Sequence, residues 1–252
     1  MLRGWIAARI ASRFLVVEPA GMPPDIDWPP EIRWCPSVEA LPSELRADAV
    51  VFAVKPQVVD TVLQGYRRLV EPGTLFLSIV AGKTLGDLAR HLGSAAMIRT
   101  MPNTPAAIGR GITVACANPL VTAAQRQLCD RLLAAIGESS WVEDEGLIDA
   151  VTAVSGSGPA YVFLLIEALA RAGEAEGLPS GLALELARST VAGSGELARL
   201  SAESPAQLRE NVTSPGGTTR AALDILMAEN GLEPLIKRAV AAAAARSREL
   251  AS

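Results

Sequence analysis

The chain has 252 residues, half of them apolar and a fifth charged, with a formal net charge of -4. A chain of this length buries one large core or two moderate ones. Its acidic balance and lack of any Lys/Arg cluster argue against a nucleic-acid partner, no apolar run in the sequence reads as bilayer-spanning, and Cys35, Cys116 and Cys129, far apart and without CxxC spacing, read as reduced cytosolic thiols with no metal site.

The stretch Met1–Phe14 is amphipathic, carries Arg3, Arg9 and Arg13, and has no acid before Glu18. Transit peptides and ordinary helices share that pattern. A strand, Phe14–Val17, follows with no cleavable linker, which favours an ordinary helix over about residues 2–11. Pro-rich irregular chain continues through Pro30, then a short strand near Ile32–Trp34. The unbroken apolar run Ala49–Val54 reads as a strand buried on both faces. A helix over Gln57–Val70, a strand Thr74–Val80 and a Thr84-capped helix through His91 come next. Ala96–Thr100 is a strand, followed by the loop MPNTPAAIG, a strand Ile112–Ala117, a helix Ala123–Ile136 and a last strand Ser139–Val142. This alternation predicts a mostly parallel sheet with helices on both faces. After Glu143 strand signals vanish. Ile148–Val154, Pro159–Glu176 (closed by Gly177), Leu182–Leu200, Ala221–Asn230 and the Ala-rich tail from Glu233 read as helices. The expected division is therefore residues 1–143, α/β, and residues 144–252, all-α.

Two motifs in the second half carry chemistry. In Ser214-Pro215-Gly216-Gly217-Thr218-Thr219, proline fixes one φ angle and the glycines permit conformations closed to other residues. Successive N–H groups can then converge on an anion at a helix start. The bland alternative is a loop with a Thr cap. In Ser155–Tyr161, SGSGPAY, the glycines leave room for something flat to approach the backbone, or for tight helix packing. In the first half, Ala53-Val54-Lys55-Pro56 and Val80-Ala81-Gly82 end successive strands, where open α/β sheets bind ligands. Lys55 is placed to meet a phosphate or ribose, and the small residues after Val80 let a cofactor lie over the sheet edge. Glu18 ends Phe14–Val17, the position from which an acid holds the ribose hydroxyls of NAD. The single histidine, His91, reads as a solvated helix residue, so no histidine-centred triad is expected. Glu143, Asp144, Glu145 and Asp149 cluster at the junction, with Glu145 and Asp149 one helical turn apart.

Taken together, FAVKPQ (Phe52–Gln57), SIVAGK (Ser78–Lys83), RTMPNTPA (Arg99–Ala106), AVSGSGPAY (Ala153–Tyr161) and NVTSPGGTT (Asn211–Thr219) resemble pyrroline-5-carboxylate reductases, in order and spacing, over essentially the whole chain. The resemblance implies an N-terminal Rossmann-type domain and a helical C-terminal domain that interlocks with a second subunit. It implies NAD(P)H-dependent reduction of 1-pyrroline-5-carboxylate to L-proline in the cytoplasm by a homodimer or higher homo-oligomer, with neither membrane nor nucleic acid as partner. It further implies that Ala53, Val54, Lys55, Pro56, Val80, Ala81, Gly82 and Asn211 line the cofactor, NADP or NAD. Ser214, Gly216, Gly217, Thr218 and Thr219 would bind the substrate carboxylate. Thr219 would lie near the imine nitrogen as the catalytic hydroxyl, and Glu145 and Thr152 match positions near the substrate. A β-hydroxyacid dehydrogenase relative is disfavoured, because no lysine lies between Pro159 and Leu178.

One departure stands out. The family opens with a strand and a GxGxxG-like turn that cradles the pyrophosphate. Here Met1-Leu2-Arg3-Gly4-Trp5 already reads as the first helix, and the Rossmann-type domain reads as incomplete. Either the natural protein carries the missing residues, or this is a shortened form. For the shortened form the expectation is weak or absent NAD(P)H binding, unpaired neighbouring strands, and, as the alternative function, a non-catalytic dimerising remnant.

Overall fold

The computed structural model describes residues 1–24 and 27–251, with the Ala251 side chain left aside. Residues 25 and 26, within the irregular stretch expected through Pro30, lie outside that description. The chain divides into two compact units: residues 1–156 together with 244–251, and residues 157–243. The last strand ends at Trp141 and helices follow, while the first unit runs on to Gly156 and also includes the end of the last helix.

The first unit opens with helix α1 (Leu2–Ala7), shorter than its amphipathic pattern suggested. Strands β1 (Phe14–Val17) and β2 (Ile32–Cys35) pair in parallel as a sheet of their own. The second sheet has the order β3 (Ala49–Phe52), β4 (Leu75–Ser78), β5 (Ala96–Met101), β6 (Gly111–Ala117) and β7 (Gly137–Trp141). All its pairings are parallel except β5–β6. Helices α2 (Val59–Tyr66), α3 (Leu85–Leu92) and α4 (Ala123–Ala134) connect the strands. Alternation decides the layers. In β4, Phe76 packs with Val59, Leu63, Leu88 and Leu92 on one face, while Leu75 and Leu77 pack with Trp5, Cys129, Leu132 and Leu133 on the other. The Trp5 indole also donates to the Leu132 carbonyl at 2.7 Å, tying α1 to α4.

Strand β1 adds to the same two layers. Leu15 and Val17 join the cluster of Val50 and Phe52, and Phe14 joins that of Ala49 and Val51. Yet β1 and β3 are not hydrogen-bonded to each other, and each has one strand partner among the described residues. This split leaves β1 half-buried along its length, and β3 buried only at alternate positions instead of on both faces.

Beyond β7 the chain is helical: α5 (Ile148–Val151), a π-helical segment Thr152–Gly156, α6 (Gly158–Ala175), α7 (Ser180–Leu200), α8 (Pro205–Asn211), α9 (Thr218–Leu226) and α10 (Leu232–Ala251). α6 ends as Gly177 predicts. Gly177 takes a positive φ of 93°, and the Gly177 and Leu178 amides return to the Glu174 and Gly173 carbonyls, closing the helix as a Schellman turn. α8 was missed from sequence. Its start is signalled by Ser204 before Pro205, and the Ser204 hydroxyl accepts from the Gln207 amide at 3.2 Å.

Candidate active site

In the first unit, the carboxyl ends of β4 and β5 open on a cleft of about 340 Å³ lined by Met1, Ile79, Pro102, Asn103, Thr104, Ala106, Ala107 and Gly156. It is floored by small residues and has Asn103 and Thr104 for polarity, which suits a flat ring with an amide. Asn103 Oδ1 accepts from the Ile112 amide at 3.0 Å, which orients the side chain and leaves its NH₂ as a donor. This is where an open α/β sheet holds its ligand. The RTMPNTPA motif marked this loop as part of the family resemblance, but Asn103 and Thr104 were given no role from sequence. The available signal was a polar Asn-Thr pair directly after a buried strand.

The strand-end residues singled out from sequence are placed unevenly. Lys55, Ala53 and Pro56 are exposed at the end of β3, with Val54 half-buried. Val80 is core, packed with Phe76 and Leu88, so only its backbone can face a ligand. Gly82 is covered: a methyl group there would come within 2.8 Å of the Leu250 carbonyl in the last turns of α10. Of this loop, Ala81 is the exposed position. Glu18 is exposed beyond β1, with Oε1 accepting from the Ala20 amide at 3.1 Å. Of these residues, Ala53, Lys55, Pro56, Ala81 and Glu18 are open at strand ends, while Val80 and Gly82 are covered. No glycine-rich turn placed to cradle a pyrophosphate is found among the described residues.

In the second unit, Ser214–Thr219 forms the expected helix start. Gly216 takes a left-handed φ of 69°, and Gly217 is the N-cap of α9 in extended conformation. No side chain caps this helix, so its first-turn amides and the dipole behind them are open to a carboxylate. Space for the turn is tight, since a methyl on Gly217 would run into the Ser214 hydroxyl oxygen. Thr218 is exposed and Thr219 half-buried. Asn211 is engaged within its own unit. Its amide donates to Glu203 at 2.9 Å and its oxygen accepts from Gln207 at 2.9 Å.

Of the junction residues, Glu143 and Asp144 are exposed, whereas Glu145 and Asp149 are bonded inward. Glu145 Oε1 accepts from Arg99 Nη1 at 2.9 Å and from the Leu85 amide at 2.7 Å. The Thr152 hydroxyl donates to the Ile148 carbonyl at 2.8 Å, and Asp149 accepts from Ser247 at 2.6 Å. His91 lies near Asp60, with Nε2 at 3.4 Å from the carboxylate. All three cysteines are free and buried. Burial pushes the Cys129 thiol up to about 12, so no reactive thiolate arises there. Among the described residues no cluster of ligands could hold a metal.

Comparison with known proteins settles the family. Residues 145–250 match a profile described as Pyrroline-5-carboxylate reductase dimerisation. The pyrroline-5-carboxylate reductase of Pseudomonas aeruginosa is 46% identical over 206 residues, which cover 81% of this chain and 75% of that protein. This chain belongs to the pyrroline-5-carboxylate reductase family. Two solved relatives agree. The Coxiella burnetii enzyme superposes with a TM-score of 0.82 at 36% identity, covering 88% of this chain and 82% of that one. The Plasmodium falciparum enzyme, solved with NADP bound, gives 0.77 at 32% identity over 90% and 86%. The family has a Rossmann-type N-terminal domain and a helical C-terminal one, and this is the order of units seen here.

Proposed function

We propose that this chain reduces 1-pyrroline-5-carboxylate to L-proline with NAD(P)H, the last step of proline synthesis. The uncapped α9 N-terminus behind Gly216–Thr219 carries the reading: it is built for a small carboxylate, which the imine acid has. Ser214, Gly216, Gly217 and Thr218 hold that carboxylate through backbone amides and hydroxyls. Thr219 lies one residue further on, and its hydroxyl meets the ring nitrogen. Thr152 and Glu145 belong to the first unit, and the family resemblance alone assigns them to the reaction. The cleft residues Pro102–Ala107 and Gly156 receive the nicotinamide ring, with Ala53–Pro56 and the exposed Ala81 beside the rest of the cofactor and Glu18 on the ribose. When bound, the cofactor supplies the hydride that adds to the imine carbon. A protonated imine is already a good acceptor, so the protein's task is to orient it and to stabilise the developing amine. Either nicotinamide dinucleotide fits this reading. Glu18 favours NADH, and Glu18→Ala tips kcat/KM towards NADPH.

The second unit supports a homodimer. Large apolar residues on α6, α7, α9 and α10 are exposed, and the dimerisation profile covers them. The same apolarity corrects the expectation that nothing here could span a bilayer. By length and composition the helical stretch Glu145–Ala175 qualifies, with a mean hydropathy of 1.4 over its most apolar window. Its opening turns are nonetheless bonded to Arg99, the Leu85 amide and Ser247, and a partner helix covers apolar surface as well as lipid does. Three buried free thiols suit a reducing cytoplasm.

The test is direct. The purified chain, mixed with pyrroline-5-carboxylate and NADPH or NADH, should consume cofactor in proportion to substrate, and should reduce NAD(P)⁺ in the presence of proline. A chain that dimerises, binds neither cofactor and turns over neither substrate would instead be the non-catalytic remnant.

A further inference from the structure

We propose that the buried pair Arg99–Glu145 is a positioning device that sets the shape of the nicotinamide cleft, and that Glu145 acts through this pair instead of touching the substrate. The inference rests on the reading of the cleft given above. Arg99 lies in the middle sheet on β5, flanked by Ser78 of β4 and Cys116 of β6. It is 3% exposed. Glu145 reaches it from the segment after β7, where the Asp144 side chain caps the turn by accepting from the Gly146 amide at 2.8 Å. The same carboxylate oxygen that takes the Arg99 proton takes the Leu85 amide. Leu85 is the first residue of α3, so its N–H has no partner within the helix, and a carboxylate is favoured at that position by the helix dipole.

Three chain segments therefore meet at one oxygen, and each leads along the chain to a residue that lines the cleft. Arg99 stands three residues before Pro102. Leu85 follows the loop that starts at Ile79, and Glu145 opens the run of turns that ends at Gly156. An apolar cluster of Met101, Cys116 and Ile148, with Leu85 and Val114 against it, adjoins the pair through Leu85, whose amide Glu145 accepts, and Cys116, which faces Arg99 across β5–β6. Within it the Cys116 thiol is pushed up, by burial first and then by Glu145 and Glu143. Arg99 Nε and Nη2 are buried with no hydrogen-bond partner among the described residues, and Glu145 accepts from Nη1. An incompletely satisfied buried arginine is costly, and a segment fixed at that cost is one whose placement matters.

The experiment compares E145Q, R99M, R99K and the double variant R99M/E145Q with the parent chain. Amide exchange at Leu85 and residues 80–84, read without ligands, should quicken by about tenfold in E145Q and R99M, as for the loss of one charge-assisted hydrogen bond. NADPH affinity, read by fluorescence titration, should fall by about fivefold while KM for the imine acid stays within about twofold, and the double variant should be no worse than the worse single one, as groups acting as a unit behave. R99K, which keeps the charge, should recover most of the affinity. Should R99M not fold, R99Q, E145Q and their double close the same cycle. A rise in KM for the imine acid alone, effects that multiply in the double variant, or unchanged exchange at Leu85 would each overturn the proposal. If the parent chain does not turn over the imine acid, the functional reading fails while the exchange data still judge the pair. If the parent is active and E145Q exchanges like it, the pair fails alone.

Discussion

The two units solve the burial problem in opposite ways. The first closes its own core: Leu75, Phe76, Leu77, Leu88, Ile98 and Leu133 are all fully buried. Helices on both faces of the sheet leave little apolar side chain in water. In the second unit the residues buried within the chain are the alanines Ala170, Ala183 and Ala187, whereas Leu164 is 58% exposed, Leu200 66% and Ile225 76%. Small residues let α6 and α7 approach closely, and the large ones are turned elsewhere. On the homodimer proposed above, a unit that packs its alanines and displays its leucines is half of a larger core. The first unit should be stable by itself, and the second only with a copy.

The largest expected effect tests that contrast. Glutamates at Leu164 and Leu235 should convert the dimer to monomer in light scattering. Burial of each leucine is worth about 1.5–3 kcal/mol, so two on each protomer come to roughly 6–12 kcal/mol per dimer. A doubly substituted chain that stays dimeric would place the interface elsewhere.

Next come substitutions that divide chemistry between the units. Thr219→Ala should lower kcat/KM for the imine acid by about tenfold to hundredfold, the equivalent of roughly 1–3 kcal/mol for one oriented hydroxyl, with NADPH affinity unchanged. Unaltered kinetics would remove Thr219 from the mechanism. Gly217→Ala is gentler. Its methyl forces the Ser214 hydroxyl aside, and KM for the imine acid should rise by about threefold to tenfold for roughly 1 kcal/mol of distortion. Should Gly217→Ala weaken NADPH instead, the anion at this helix start belongs to the cofactor.

Much of this was legible in the sequence because the signals were local. Thr84, Gly177, Pro159 and the SPGG turn each act on the stretch of backbone beside them, and the structure shows a capped start for α3, a Schellman end for α6, an early proline in α6 and a turn leading into α9. Strand placement followed from apolar runs, although runs do not reveal direction, and β6 turned out antiparallel to β5. What stayed hidden depended on distant partners. The role of Arg99 needs Glu145, 46 positions away. The burial of Gly82 needs Leu250 from the far end of the chain, and Val80 belongs to the core because Phe76 and Leu88 surround it. A residue such as Asn211, read as a cofactor ligand by resemblance, is bonded to Glu203 and Gln207 through spacings that become contacts only once α8 forms.

The smallest effect probes the first unit's independence. Thr84 caps α3 through a reciprocal box: its hydroxyl accepts from the Asp87 amide at 3.0 Å, and Asp87 accepts from the Thr84 amide and hydroxyl, each at 2.8 Å. Burial alone would raise the Asp87 carboxyl. The two bonds from Thr84, with Arg90 and Lys83 nearby, outweigh it and hold the group below the ordinary carboxylate range. A carboxyl depressed in the folded state stabilises fully above its unfolded value, near 3.9, and loses that contribution as pH falls through its lower folded value. Thr84→Ala removes one of the bonds that depress it. Stability at neutral pH should drop by about 1 kcal/mol, or about 2–4 °C in Tm, and the further loss on acidification should be shallower than in the parent. Thr84→Ser should restore both. Because α3 lies in the unit that closes its own core, the monomer–dimer equilibrium should not move. If it does, stability passes from the first unit to the second, and the two are not energetically separate.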